Sequence, residues 1–218
     1  MTDQPKPPAA GGDAALAQLL AEIRACTRCA AVLPLGPRPV LRGRAEARLL
    51  IISQAPGRRA HLSGLSFDDQ SGERLRGWLG LGREIFYDES RVAVMPVGFC
   101  YPGSDARGGD RPPRPECAPL WHQRLRARLP AIELCLLVGR HAIGYYLPQT
   151  RAQPLTRSLA RWRDFLPGFF VLPHPSWHVG RWLADNRWFE RDVIPELRAR
   201  VAAIVSPANP RSAPCPRR

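Results

Sequence analysis

Four short runs of uninterrupted apolar residues stand out along the chain, at 49–53 (LLIIS), 92–95 (VAVM), 134–138 (LCLLV) and 169–172 (FFVL). Each is too short for a buried helix and lacks the alternation of a half-exposed strand, so each reads as a strand covered on both faces. Helical spacing fills the intervals. Leu16, Leu19, Leu20 and Ile23 share one face of a first helix that Asp13 is placed to cap. Further helices are expected over 71–81, 115–129 and 140–147. Phe189, Val193, Leu197 and Val201 recur every fourth position in a last one, where Pro195 marks a break or a first turn. Strands alternating with helices predict an α/β fold: a single three-layer α/β/α domain on a central, mainly parallel four-stranded sheet. In such sheets ligands bind beyond the carboxyl ends of the strands.

The length of 218 residues suits one domain, here expected over 13–205. Residues 1–12 are polar and Pro-rich and read as a disordered lead. Residues 206–218 (SPANPRSAPCPRR), Cys215 included, read as a disordered basic tail. No run approaches the ~20 apolar residues of a membrane span, and the start has no signal-peptide pattern, so a cytoplasmic protein is expected. Charge changes the picture most. Lysine and arginine number 32 against 19 acids, a net charge of +13; Lys6 is the sole lysine, leaving 31 arginines. Genome composition can put arginine in place of lysine, but it does not explain the excess over acids, which favours a polyanionic partner such as nucleic acid. Six cysteines in a cytoplasmic chain point to metal or catalysis rather than disulfides.

Candidate chemistry lies in the loops. The first strand ends in Ser53-Gln54-Ala55-Pro56-Gly57-Arg58-Arg59, where Pro and Gly stop the strand and expose backbone. Phe67-Asp68-Asp69-Gln70-Ser71-Gly72-Glu73 leads into a helix, and its acids and serine also suit plain helix capping. The last strand ends in His174-Pro175-Ser176-Trp177-His178-Val179-Gly180-Arg181, with Trp182 following. Two histidines, two tryptophans and an arginine are more than a connection needs.

Together these three loops resemble the uracil-DNA glycosylase superfamily. Its members carry a G-[EQ]-x-P-type loop after the first strand, an HPS-type loop after the last, and between them a segment whose Phe stacks on the flipped base. SQAPG, HPSWHVGRW and SFDDQSG look like those three, within a resemblance running over about residues 24–204. The stretch CYPGSDARGGDRPPRPEC resembles the iron–sulfur classes, families four and five. There Cys26, Cys29, Cys100 and Cys117 would be the four thiolates that hold a [4Fe–4S] cluster. Zinc is the metal alternative for such a quartet; without metal the cysteines would be buried free thiols, the reading given to Cys135 inside its strand. Two positions depart from the family. Gln54 and Ala55 supply no carboxylate, so the acidic role passes to Asp69, with Asp68 in reserve, as in family five. Pro96 stands where many members have an Asn that reads the uracil edge.

The resemblance implies a DNA repair enzyme, a hydrolase of base excision repair. It would flip uracil out of single- or double-stranded DNA, hydrolyse the N-glycosidic bond as a monomer, and leave an abasic site. His174 would donate a hydrogen bond to the base O2, and Asp69 would stabilise the sugar cation and orient or deprotonate the attacking water. Gln54, Ala55, Pro56, Gly57, Phe67, Ser71 and Ser176 would form the base pocket. Arg58, Arg59, Arg107, Arg111 and Arg181 are candidates for phosphate contacts, and the loop from Trp177 through His178 to Arg181 for the minor groove. With Lys6 in the lead, a Schiff-base lyase is disfavoured and a monofunctional enzyme expected. The alternative is a binder of damaged, single-stranded or abasic DNA with slow or no turnover, built on the same fold.

Overall fold

The computed structural model describes residues 10–106 and 108–205. The tail expected at 206–218 and most of the lead lie outside that range. Four strands, β1 (Leu49–Ile52), β2 (Val92–Val94), β3 (Leu134–Val138) and β4 (Phe169–Leu172), form one sheet in the order β2-β1-β3-β4. Every pairing is parallel, with Leu50 opposite Ala93 and Cys135, and Leu136 opposite Phe170. All strand residues are buried, as their unbroken apolar sequences require of a sheet covered on both faces.

Nine helices flank the sheet among the described residues: α1 (Ala10–Arg24), α2 (Arg58–Ser63), α3 (Gln70–Leu79), α4 (Arg83–Tyr87), α5 (Cys117–Arg126), α6 (Arg140–Tyr146), α7 (Leu155–Ala160), α8 (Val179–Asp185) and α9 (Ile194–Val205). α3 packs on α9, α9 on β1, and α1 against α5. α1 begins three residues before Asp13, which lies in the first turn instead of capping; there its carboxylate still opposes the helix dipole. Pro195 sits in the first turn of α9, just after a π-helical turn at Phe189–Val193, so the proline's missing N–H costs no helical hydrogen bond. The short helices α2, α4, α7 and α8 are too brief for a periodic signal and escape the pattern analysis. No helix among the described residues is long and apolar enough to cross a membrane.

The edge strand β2 is shielded. Arg42 forms an antiparallel bridge with Val94, and its buried guanidinium donates to the carbonyls of Val92 (3.0 Å) and Phe86 (2.6 Å). Gly43 follows because a Cβ there would stand 2.6 Å from Cβ of Ala93. A second buried polar tie lies under the carboxyl end of β2. His122 of α5 bonds the Pro96 carbonyl through Nε2 (2.9 Å) and the Tyr146 hydroxyl through Nδ1 (2.8 Å). A carbonyl only accepts, so Nε2 carries the proton and Nδ1 accepts from the tyrosine.

Burial pushes the His122 pKa down to about 4, keeping the ring neutral at pH 7. The unfolded chain protonates near pH 6.5, so stability is present above that pH and is lost as pH falls from about 6.5 toward 4. The melting temperature should therefore drop across this window. His122→Gln should flatten the slope while lowering stability at pH 7 by about 1–3 kcal/mol through disturbed buried hydrogen bonds; thermal denaturation from pH 4 to 8 measures both.

Candidate active site

Because all four strands run the same way, their carboxyl ends meet at one edge of the sheet. The segment after β2 keeps pairing with the segment after β1: Val97 N–H donates to the Ser53 carbonyl and Gly98 N–H to that of Gln54, both at 2.8 Å. This seats the first loop beside the segment that follows β2, and the HPS loop leaves β4 at the same edge of the sheet. Between them lies a cavity of about 410 Å³. Gln54, Ala55, Gly57, Phe67, Asp69, Ser71, His174, Ser176, Trp177 and His178 line it, joined by Ser53, Ala60 and the segment Gly108, Gly109 and Asp110.

Other sequence assignments fall elsewhere. Pro56 was expected in the base pocket but is buried and does not line the cavity. Its two chain neighbours, Ala55 and Gly57, do line the cavity. Arg58 and Arg59 on α2 and Arg181 on α8 are exposed and outside the cavity, as is Arg111. Arg107 lies outside the described residues. Asp68, the reserve acid, pairs with Arg83 at 3.0 Å and does not line the cavity. His61 is buried on α2 away from it, and Pro96 offers neither side chain nor free carbonyl.

Local sequence fixes the functional side chains. Asp69 is the N-cap of α3, its Oδ1 accepting the Gly72 N–H at 2.8 Å. Capping and cavity-lining thus coexist in one carboxylate. Phe67, two residues earlier, has φ +60°, a left-handed backbone uncommon outside glycine. That conformation is held by its own carbonyl, which accepts from the Tyr87 hydroxyl (2.9 Å) and from Arg76 (3.3 Å). The Phe67 ring meets Phe86 edge-on at 6.1 Å, so one side is packed and the rest faces the cavity. Arg74 reaches from α3 to the carbonyls of Pro175 (3.1 Å) and Ser176 (2.6 Å), locking the HPS loop to the helix that Asp69 begins. Gly139, at φ +87°, lets the end of β3 pass His174, where a Cβ would stand 3.1 Å from the histidine Cβ.

The electrostatics divide the site. Burial pushes the His174 pKa down to about 4, against the pull of Asp69, so the imidazole is neutral at pH 7 and still carries one N–H donor. Asp110 is raised, first by desolvation and then by the charges of Asp69 and Asp105. Trp177 is 74% exposed and its ring lies against His178 with centroids 3.5 Å apart, an aromatic pair projecting at the cavity mouth. Arg74 and Asp110 were missed from sequence: Arg74 is one of many arginines, Asp110 lies in the stretch between Cys100 and Cys117 that was read for its cysteines alone, and each acquires its place only through the fold.

The four expected metal ligands also converge. Cys26, Cys29, Cys100 and Cys117 face a second, largely apolar cavity that Phe99, Trp121, Arg28 and Arg114 help to line. All four are free thiols, and the Phe99 N–H donates to Sγ of Cys117 at 3.3 Å. Burial drives Cys100 up to about 11 and Cys117 to about 12, so both stay protonated unless a bound cation displaces the proton. Among the described residues no three of these or other His, Cys, Asp or Glu side chains are gathered to hold one metal ion. Cys135, read from sequence as a free thiol, is buried in β3 and is not among the free cysteines.

Gly72 is the residue on which the Phe67 turn depends: a Cβ there would lie 1.7 Å from the Phe67 carbonyl oxygen. Gly72→Ala should cost about 1–3 kcal/mol or more and displace Phe67. Gly77→Ala on the same helix, with nothing within 4 Å of the new methyl, should be neutral or stabilising by up to about 1 kcal/mol. Melting temperatures of the two variants test the contrast.

The sequence model of the uracil DNA glycosylase superfamily matches residues 41–198. The match takes in all four strands and every segment that lines the larger cavity, while Cys26 and Cys29 precede it. Spanning most of the chain and its whole candidate site, this match shows that the protein belongs to the uracil DNA glycosylase superfamily, whose members are DNA glycosylases.

Proposed function

We propose that the protein is a monofunctional uracil-DNA glycosylase that hydrolyses the N-glycosidic bond of a flipped nucleotide and leaves an abasic site. One observation carries this reading: Gln54, Phe67, Asp69 and His174, drawn from three separate loops, line a single cavity of about 410 Å³. The Phe67 ring is placed to stack on an extruded base, which cannot be attacked within the helix. Backbone groups around Gln54 and Gly57 take the place of the family's Asn in contacting the base, since Pro96 cannot.

Bond cleavage leaves negative charge on the base and positive charge on the sugar. The neutral His174 donates to O2 of the departing uracil as its charge builds; a neutral donor suffices, and its low pKa keeps the ring in that form over the physiological range. Asp69, fixed by its capping bond to Gly72, stabilises the sugar cation and orients the attacking water. Exposed Trp177 fills the gap left in the stack, with His178 beside it. Arg58, Arg59 and Arg181 are placed to meet phosphates. The sole lysine is Lys6, distant in sequence from these loops, which supports hydrolysis over a Schiff-base mechanism.

The Cys26, Cys29, Cys100 and Cys117 set would hold a [4Fe–4S] cluster. Its role here is structural, tying the end of α1 to the loop that follows β2. The resemblance to the iron–sulfur classes supports a cluster over a single zinc ion. Four thiolates around one cavity are what the larger group needs.

Purified protein should release uracil from an oligonucleotide over many turnovers. Asp69→Asn and His174→Ala should each lower the rate by about 10²-fold or more, with duplex binding largely intact. Protein that shifts the DNA but releases no base over many equivalents would instead be the non-catalytic binder, a reading that Ala55 and Pro96 keep in view. For the cluster, anaerobically purified protein should be brown with iron near four per chain; colourless protein with stoichiometric zinc would reverse the assignment.

A further inference from the structure

Besides Asp69, one other carboxyl among the described residues lines the larger cavity, that of Asp110. It stands at the end of a loop closed by an antiparallel bridge between Ser104 and Asp110, with the Arg111 N–H on the Gly103 carbonyl at 2.8 Å. Asp105 tightens the same loop, its Oδ1 accepting the Gly109 N–H at 3.0 Å. These bonds hold the Asp110 backbone without using its side chain. The carboxyl leans over the first loop, with Oδ2 only 3.4 Å from where a Cβ on Gly57 would be. Glycine at that position leaves it room.

The two acids are not equivalent. Asp69 Oδ1 is committed to the Gly72 N–H. The Asp110 carboxyl has no hydrogen-bond partner among the described residues. Resting on the glycosylase reading above, we propose that Asp110 is the general base of the reaction, while Asp69 steadies the sugar cation and orients the water without taking its proton. Asp110 takes one proton from the attacking water as its oxygen bonds to C1′. The C1′–N bond breaks, and its electron pair leaves with the base, held at O2 by the His174 N–H. The proton on Asp110 then passes to solvent, and the base anion takes one up. Two carboxyls in one site with different surroundings commonly divide such roles.

The groups facing Asp110 are Asp69 from the start of α3, Asp105 from its own loop, and His174 and His178 from the loop after β4. Burial and the two acids hold its proton to higher pH than an ordinary aspartate. The rate should therefore rise with pH through a limb above the usual carboxylate range. Single-turnover base release from a uracil oligonucleotide, followed from pH 4 to 8, separates the acids. Asp110→Asn should lose about 10²-fold or more and lose the limb, while melting and binding DNA like the parent. Asp69→Asn should also be slow but should keep the limb, shifted to lower pH because a like charge has gone. A limb that vanishes in Asp69→Asn and persists in Asp110→Asn would exchange the roles and overturn the inference. So would an Asp110→Asn enzyme of parental rate, with the glycosylase reading intact. A parent that releases no base would remove both.

Discussion

The parallel direction of four buried strands is the constraint from which the site follows. With every strand pointing the same way, the polar groups that end each one are delivered to a single edge, and the chain must return by helices on the sheet's faces. The loops after β1, β2 and β4 therefore share one volume, although the first and the last are more than a hundred positions apart. Hydrogen bonds then refine what topology permits. The ladder from Val97 and Gly98 to Ser53 and Gln54 continues the sheet beyond its strands, and Arg74 binds the last loop to the helix that carries Asp69.

Much of this was legible in the sequence because the signals were short-range and unmixed. Uninterrupted apolar tetrads and pentads can only be buried strands, and β1 to β4 fall on them within a residue. That Asp69, His174 and Phe67 would meet at one cavity was readable because each sits in a loop whose composition is unusual for a mere connection. What failed had a common cause: it depended on contacts between distant segments. Asp110 looks like any acid in a Gly-rich loop until the loop folds over Gly57. Arg74 is one arginine among many until its guanidinium finds two carbonyls of the HPS loop.

The site also shows how few of its features are single-purpose. Asp69 caps a helix and faces the cavity; Phe67 packs on Phe86 and offers its remaining surface; Gly72 gives the cap an N–H and clears space for the Phe67 carbonyl. His174 is made neutral by the same enclosure that shapes the pocket. Such sharing explains why an acid missing at Ala55 does not empty the site of acids. The surrounding scaffold presents two others from different directions.

The loop bearing Asp110 has one more property. It departs at Cys100 and returns at Cys117, so the wall of the larger chamber is a span whose two abutments both lie in the thiol-lined one. The two chambers are thus joined through one short arch of chain, and a displacement of Cys100 or Cys117 would move the wall that carries Asp110.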